Sequence, residues 1–284
     1  MLENTIEMVK SFIKSIINRI GWFFYHLLNN DFLVLIGDAS LKYKILEKRN
    51  ISLGNELLTF HTPNFLMRYR YRTFYSKEPE TLEWIDQFES NTVFLDIGAN
   101  VGLYSIYAAK TKNITVYAFE PSFFNLEYLA RNIYINGLSE KINIIPLALN
   151  KKPGINSFHL TSTEWGGALS TFDQKFDDSG KEMHPEFVYK TTGIDLDTLS
   201  NLFQLEKADY VKIDVDGLEH IILIGAKNTL KNAREILVEI NDNFNEQREV
   251  STKILIELGF QLDRKVYTEV NTKQVANQIW KKNT

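Results

Sequence analysis

Residues 93–102, VFLDIGANVG, limit the folds open to this chain more than any other segment. Val93 to Ile97 is a short apolar run, long enough for a buried strand and too short for a helix. Gly98, Asn100 and Gly102 interrupt it, and Leu103 to Lys110 continues with Leu103, Ile106 and Tyr107 in helical phase. A strand that passes through glycines directly into a helix opens a βαβ unit.

The alternation continues downstream. Val116 to Phe119 reads as a second strand, followed by a helix that Ser122 can cap. That helix buries Leu126, Leu129 and Ile133 and ends at Asn136-Gly137, a left-handed stop. Ile142 to Leu147, Tyr210 to Asp214 and Ile236 to Ile240 are further strands. Leu218 to Leu230 and Ser251 to Leu258 are helices, the second stopped by Gly259. Two weaker strands close the chain near Phe260–Leu262 and Gln278–Trp280. This order predicts an α/β fold: a Rossmann-like, doubly wound, mostly parallel seven-stranded sheet. Residues 150–208 read as irregular, and a loop that long is expected to serve function. There is no internal repeat and no low-complexity linker.

Upstream, residues 78–88, EPETLEWIDQF, form a helix with Pro79 in its first turn. DFLVLIG and ELLTF fit either strands or short helices. Residues 5–28 have helical periodicity through Ile6, Val9, Ile13, Ile16, Ile17, Ile20 and Phe24, with Lys10, Lys14 and Arg19 adding charge. Such a helix either lies on a membrane surface or packs on its own domain, a partner or a second copy in a homodimer. Phe12, Trp22 and Phe23 broaden the apolar face and favour packing on protein. The expected organisation is therefore a mainly helical N-terminal extension over 1–70 and a catalytic domain over 71–284.

Composition removes several function classes. There is no cysteine, so disulfides, thiolate metal sites and cysteine nucleophiles are excluded. Net charge is −4 with no basic stripe, so no nucleic-acid partner is expected. A small-molecule or glycan acceptor is the better expectation. MLENTIEMVK carries Glu3 and Glu7 before its first lysine and is not expected to act as a secretory signal. No apolar run reaches the ~20 residues a bilayer span needs. A cytoplasmic location is expected, with membrane association through residues 5–28 left open.

The glycine turn after the first strand faces a ligand. Gly98 allows close approach of the backbone, and the following helix start offers free N–H groups to an anion such as a carboxylate. Glu120, in FEP at the end of the second strand, is placed to take the hydroxyls of a ribose. A dinucleotide site prefers G-x-G-x-x-G. Here Asn100 and Leu103 replace the second and third glycines, which argues against a nicotinamide-dependent oxidoreductase. Asp96 suits a ligand with an ammonium group. S-adenosyl-L-methionine carries an ammonium, a carboxylate, a ribose and an adenine, and so answers each feature. A non-catalytic binding module on the same fold is the third reading.

Asp214 ends the strand VKID at the carboxyl edge of the sheet, where ligands of open α/β sheets bind. It is the acid expected nearest the reacting centre, with Asp216, Glu219 and His220 on the next turn and helix. Glu219 is placed to orient the loop or to contact acceptor groups and also suits a helix start; His220 is either a general base by chemistry or a plain surface histidine. Asp214, Asp216, Glu219 and Glu239 are hard oxygen ligands, but no spacing defines a metal site and none is expected. Trp165, Gly166 and Gly167 are candidates for an acceptor lid.

DIGANVGLYS with FEP downstream resembles motifs I and II of class I S-adenosylmethionine methyltransferases. TTGIDLDTL (191–199), VKIDVDGLEHIILIGAKNTL (211–230) and EILVEIN (235–241) are similar in order and spacing to the FkbM family, as is RTFYSKEPETLEWID upstream. The resemblance spans roughly residues 70–262. It implies O-methylation of a hydroxyl, often on a sugar or a polyketide-type product. It further implies that Asp96, Gly98, Asn100 and Gly102 line the methionine part of the cofactor. By the same resemblance Glu120 takes the ribose, Ala148 lies near the adenine and Glu78 closes over the cofactor. PLALN lacks the acid many relatives carry in the third motif. D-V-D-G-L-E departs from the family's D-x-E-G-x-E at Asp216.

Overall fold

A computed structural model describes residues 2–27, 31–54, 56–268 and 274–282. The chain divides into two units, 1–47 and 48–284. The first holds α1 (Leu2–Leu27) and α2 (Asp31–Ile45). DFLVLIG is thus part of a helix. Taken by itself, α1 leaves Phe12, Ile16, Ile20 and Phe24 exposed along one face. Among the described residues no helix is long and apolar enough to cross a membrane.

The second unit begins with a hairpin of β1 (Lys48–Leu53) and β2 (Glu56–His61). This corrects the expected boundary at residue 71: residues 48–70 belong to the larger unit. Leu58 and Phe60 of β2 are buried in the same cluster as Ile106 and Ile133. The Asn132 carboxamide oxygen accepts from the His61 backbone N–H at 2.9 Å, which ties the hairpin down. Then follow α3 (Phe65–Arg72), capped by the Asn64 side chain, and α4 (Pro79–Ile85), with Pro79 at its start as expected.

The main sheet is built from β3 (Val93–Ile97), α5 (Leu103–Lys112), β4 (Thr115–Phe119), α6 (Phe123–Ile135) and β5 (Ile142–Ile145). Residues 148–194 add β6 (Ala148–Leu149), β7 (Gly154–Leu160), β8 (Ser170–Phe172) and β9 (Phe187–Ile194). The remaining elements are α7 (Leu196–Phe203), β10 (Tyr210–Ile213), α8 (Glu219–Ile224), α9 (Lys227–Leu230), β11 (Glu235–Asn241), α10 (Asn245–Glu257), β12 (Phe260–Tyr267) and β13 (Val275–Lys282). The seven strands run in the order β12-β13-β11-β10-β3-β4-β5, all in one direction except β13, which is antiparallel to both of its neighbours. The predicted fold class is the observed one.

Strand alternation sorts the core into two layers. Phe94, Val116, Ala118 and Leu237 face α4, α5 and α6. Val93, Leu95, Ile97, Val211 and Ile213 face α7 to α10. The order reverses between β3 and β10, so the crevice beyond their carboxyl ends is the natural ligand site.

Two expectations need correction. Residues 150–208 are not irregular, because β6, β9, β7 and β8 form a second sheet. Most of β9 is exposed or half-buried, so it lacks the apolar alternation that reveals a strand; its pairing with β7 is a backbone matter. The helix expected over 218–230 is broken into α8 and α9 at Gly225. A side chain there would meet the Asn150 carbonyl and Asp195.

Candidate active site

Two clefts meet at the β3–β10 switch point. The first has about 840 Å³ counted out to open solvent. Gly98, Asn100, Glu120, Ala148, Asp214 and Asp216 are among its walls. Its apolar end is made by Leu147, Leu149, Phe158 and Phe172. The second cleft has about 500 Å³ and is walled by Lys77, Glu78, Asn100, Tyr104, Lys212 and Asp214, among others. Arg70, Lys77, Gly98, Asn100 and Asp214 belong to both, so the clefts form one continuous hollow.

Gly98 has φ +89°, and a Cβ there would collide with the Asp214 carbonyl oxygen. The glycine is thus required by the crossing of β3 and β10 as well as by any ligand. Gly102, also left-handed, lines neither cleft. A Cβ on it would meet Leu129, so it permits close packing of α5 on α6.

Glu120 is buried at the end of β4 and faces the first cleft. It accepts N–H groups from Asn100 (2.8 Å), Ser122 (2.9 Å) and the Asn125 side chain (3.3 Å). Ser122 therefore starts α6 without a side-chain cap of its own. A carboxylate has about four acceptor positions, which leaves room for a hydroxyl. Burial raises its pKa to about 7 against the pull of these N–H donors. Asn100, itself left-handed at φ 52°, donates its side chain to the Gly167 carbonyl at 2.7 Å. Among the described residues its own Oδ1 is buried with no partner, a polar atom that a ligand donor would satisfy.

Asp214 follows the last residue of β10. One oxygen holds the Lys212 ammonium at 2.5 Å; the other has no partner among the described residues, and the side chain is 22% exposed. Lys212 is fully buried, also lies over the Tyr104 ring, and draws the Asp214 pKa below its ordinary value despite desolvation. Glu78 is buried at the start of α4, accepting from Lys77 at 2.7 Å and from the Tyr104 hydroxyl at 3.0 Å. Ala148 lines the first cleft.

Other expected site residues stand elsewhere. Asp96 is 1% exposed, accepts from the Ser105 hydroxyl at 2.5 Å and lines neither cleft. The expectation that it lines the methionine part of the cofactor is therefore corrected: its carboxylate lies behind the cleft walls. Glu219 is fully buried: one oxygen accepts from the Val215 and Gly217 backbones and the other from Gln247. It braces the turn after β10. His220 is 3% exposed, stacked on Phe176 and edge-on to Phe244. Burial lowers its pKa. Neither residue lines a cleft: Glu219 orients the loop and does not contact an acceptor, and the expectation of His220 as a base beside the acceptor is corrected. Among the described residues no three acids or histidines are grouped to hold a metal ion.

The segment 161–170 crosses the hollow as a strap. The Gly166 carbonyl accepts from Arg70 Nε at 2.8 Å, and its N–H donates to Asn125. Asp216 accepts from the Leu169 and Ser170 backbones. Trp165 packs edge-on against Tyr128 and anchors the strap; Gly167, Ala168 and Ser170 are its cleft-facing residues. Sequence reasoning missed Arg70, Lys77, Tyr104, Asn125 and Lys212. Lys77 and Lys212 sit inside segments already singled out, beside Glu78 and Asp214. Nothing local marks Arg70 or Asn125.

A crevice at the topological switch point, a strand-end acid turned into it and an apolar end beyond define a Rossmann-like enzyme with a nucleoside-type site. The chain belongs to the FkbM methyltransferase family: the model of the methyltransferase FkbM domain matches residues 96–269. Methyltransferase sdnD of Sordaria araneosa is 24% identical over 177 residues, covering 55% of this chain and 68% of that protein. Among solved structures, magnesium protoporphyrin IX methyltransferase from Synechocystis PCC 6803 is similar with a TM-score of 0.46 and 14% identity, over 78% of this chain and 85% of its own. Precorrin-6y C5,15-methyltransferase from Geobacter metallireducens GS-15 is similar with a TM-score of 0.42 and 13% identity, over 72% and 88%.

Proposed function

We propose that this chain binds S-adenosylmethionine in the joined clefts and methylates a hydroxyl oxygen of a small-molecule or glycan acceptor presented at Asp214. The observation that carries the reading is the presence of Glu120 and Asp214 in one cleft, with Gly98 and Asn100 between them. The chemistry of the walls fits the cofactor. Glu120 suits a ribose, the Leu147, Leu149, Phe158 and Phe172 end suits an adenine, and the Asn100 oxygen lacks a donor.

When bound, the cofactor supplies an electrophilic methyl: a C–O bond forms as the C–S bond breaks and a neutral thioether leaves. The residues align and hold the acceptor. Asp214, kept ionised by Lys212, accepts a hydrogen bond from the acceptor hydroxyl through its open oxygen. Its lowered pKa makes it a weak base, so it orients the oxygen first and takes the proton only as the oxygen becomes positive. The strap over the hollow limits water, which strengthens these interactions.

Calorimetry or thermal shift tests the cofactor reading. S-adenosylhomocysteine is expected to bind and raise the melting temperature, whereas NADH is not; the opposite pattern would move the chain to the oxidoreductases. The affinity is also expected to depend on pH. Hydroxyl donors need the ionised Glu120, whose pKa in the free protein is about 7. Affinity therefore falls as pH drops below about 7, approaching tenfold per pH unit. In Glu120→Gln this dependence disappears and affinity falls roughly 100-fold, the worth of hydrogen bonds to a charged acceptor. A wild-type affinity flat from pH 5 to 8 would remove Glu120 from the ribose.

A further inference from the structure

The joined clefts carry two cations that the reading above leaves without a role. Arg70, near the end of α3, and Lys77, just before α4, line both clefts. Each is committed on one side only. Arg70 gives its Nε to the Gly166 carbonyl, and among the described residues neither terminal nitrogen has a hydrogen-bond partner. Lys77 gives one N–H to Glu78, while its side chain remains 50% exposed. A guanidinium fork with two open donors in a half-buried wall is a receptor for a planar anion. An ammonium beside it adds a second positive charge.

We infer that Arg70 and Lys77 hold the carboxylate of the amino-acid tail of the methyl donor. This rests on the cofactor reading and assigns the negative charge of the tail. The second cleft then matches a zwitterion, with Arg70 and Lys77 for the carboxylate and Glu78 for the ammonium. Both cations belong to the wall shared with the nucleoside cleft, so the tail need not leave the continuous hollow to reach them. The N–H groups at the start of α5, the place sequence suggests for a carboxylate, are less open. The Asn100 N–H already donates to Glu120, and the Gly102 N–H to the Ala99 carbonyl.

The test compares two ligands that differ by the tail. S-adenosylhomocysteine carries it; 5′-methylthioadenosine keeps the nucleoside and sulfur and lacks it. Dissociation constants are measured by calorimetry for the wild type, Arg70→Gln and Lys77→Met. Each variant is expected to weaken S-adenosylhomocysteine roughly 10- to 100-fold and to leave 5′-methylthioadenosine within about threefold of wild type. Arg70 also holds the strap, so its variant can disturb both ligands; Lys77 makes no strap contact, and its variant decides the matter. Equal losses for both ligands in Lys77→Met, or wild-type affinity for S-adenosylhomocysteine in both variants, overturn the assignment and leave the cofactor reading standing. Failure of the wild type to bind either nucleoside overturns both.

Discussion

Asp214→Asn is expected to lower the initial rate of label transfer from methyl-labelled S-adenosylmethionine by roughly a thousandfold, within the range a positioned acid or base supplies. S-adenosylhomocysteine is expected to bind within a few-fold of wild type. The split follows from geometry. One Asp214 oxygen is held by Lys212, and the other is open to the hollow where the acceptor would enter. An amide keeps the shape but offers the acceptor hydroxyl a weaker, neutral partner, with no capacity to take up its proton. The pH dependence carries independent information. Asp214 is held below its ordinary pKa of 3.8 by the neighbouring ammonium, so the wild-type rate has no acidic limb from this group above about pH 4. Products formed in a metabolite extract, read by mass spectrometry, supply the rate. An Asn variant with wild-type turnover would show that the acceptor is aligned elsewhere, and would favour a binding module over an enzyme.

Lys212→Met is expected to cost about 3–5 kcal/mol of stability, the range for removing one partner from a buried ion pair. For a unit of this size that corresponds to a fall in melting temperature of roughly 10 °C. Lys212 is 1% exposed, and Asp214, Glu78 and Asp96 surround its ammonium. Methionine fills the channel but leaves these acids facing one another without a cation. Burial alone would lower the lysine's pKa; the three acids raise it above its ordinary 10.5 instead. Its contribution to stability is therefore complete below pH 10.5 and is lost only as pH rises through the raised value. Asp214, with a lowered pKa, contributes above 3.8 and loses that contribution as pH falls through its lowered value. The gap between wild type and variant should thus be widest near neutrality and narrow in acid. Equal melting temperatures at pH 7 would mean that water already screens the pair.

The parts of the site that were legible lie on short, local patterns. Val93 to Ile97, the left-handed Gly98 and the start of α5 belong to one continuous decapeptide, and Glu120 is one strand further on. Periodicity reveals such elements because each must bury one face. It fails for β9, whose residues are largely exposed and whose partners lie far along the chain. Asp96, Glu219 and His220 show a different failure. Each is an acid or imidazole at the right strand end or helix start, yet a turn of one residue decides between cleft and core. Asp96 points to Ser105, Glu219 to the turn it braces and His220 to two phenylalanines.

Sequence by itself determined the class of fold, the switch point where a ligand must lie, the strand-end acids Glu120 and Asp214 and the family to which the chain belongs. All of these follow from residues near one another in the chain, where backbone periodicity and turn chemistry operate. Tertiary structure alone decided which polar groups face the hollow. It buried Lys212 beside Asp214, set Asp96 beneath the floor, and drew the strap of 161–170 across to Arg70, Asn100 and Asn125. The strap's bonds join segments tens of residues apart, and no local preference encodes them. They exist because a buried charge or amide must find its partner wherever packing brings one within reach.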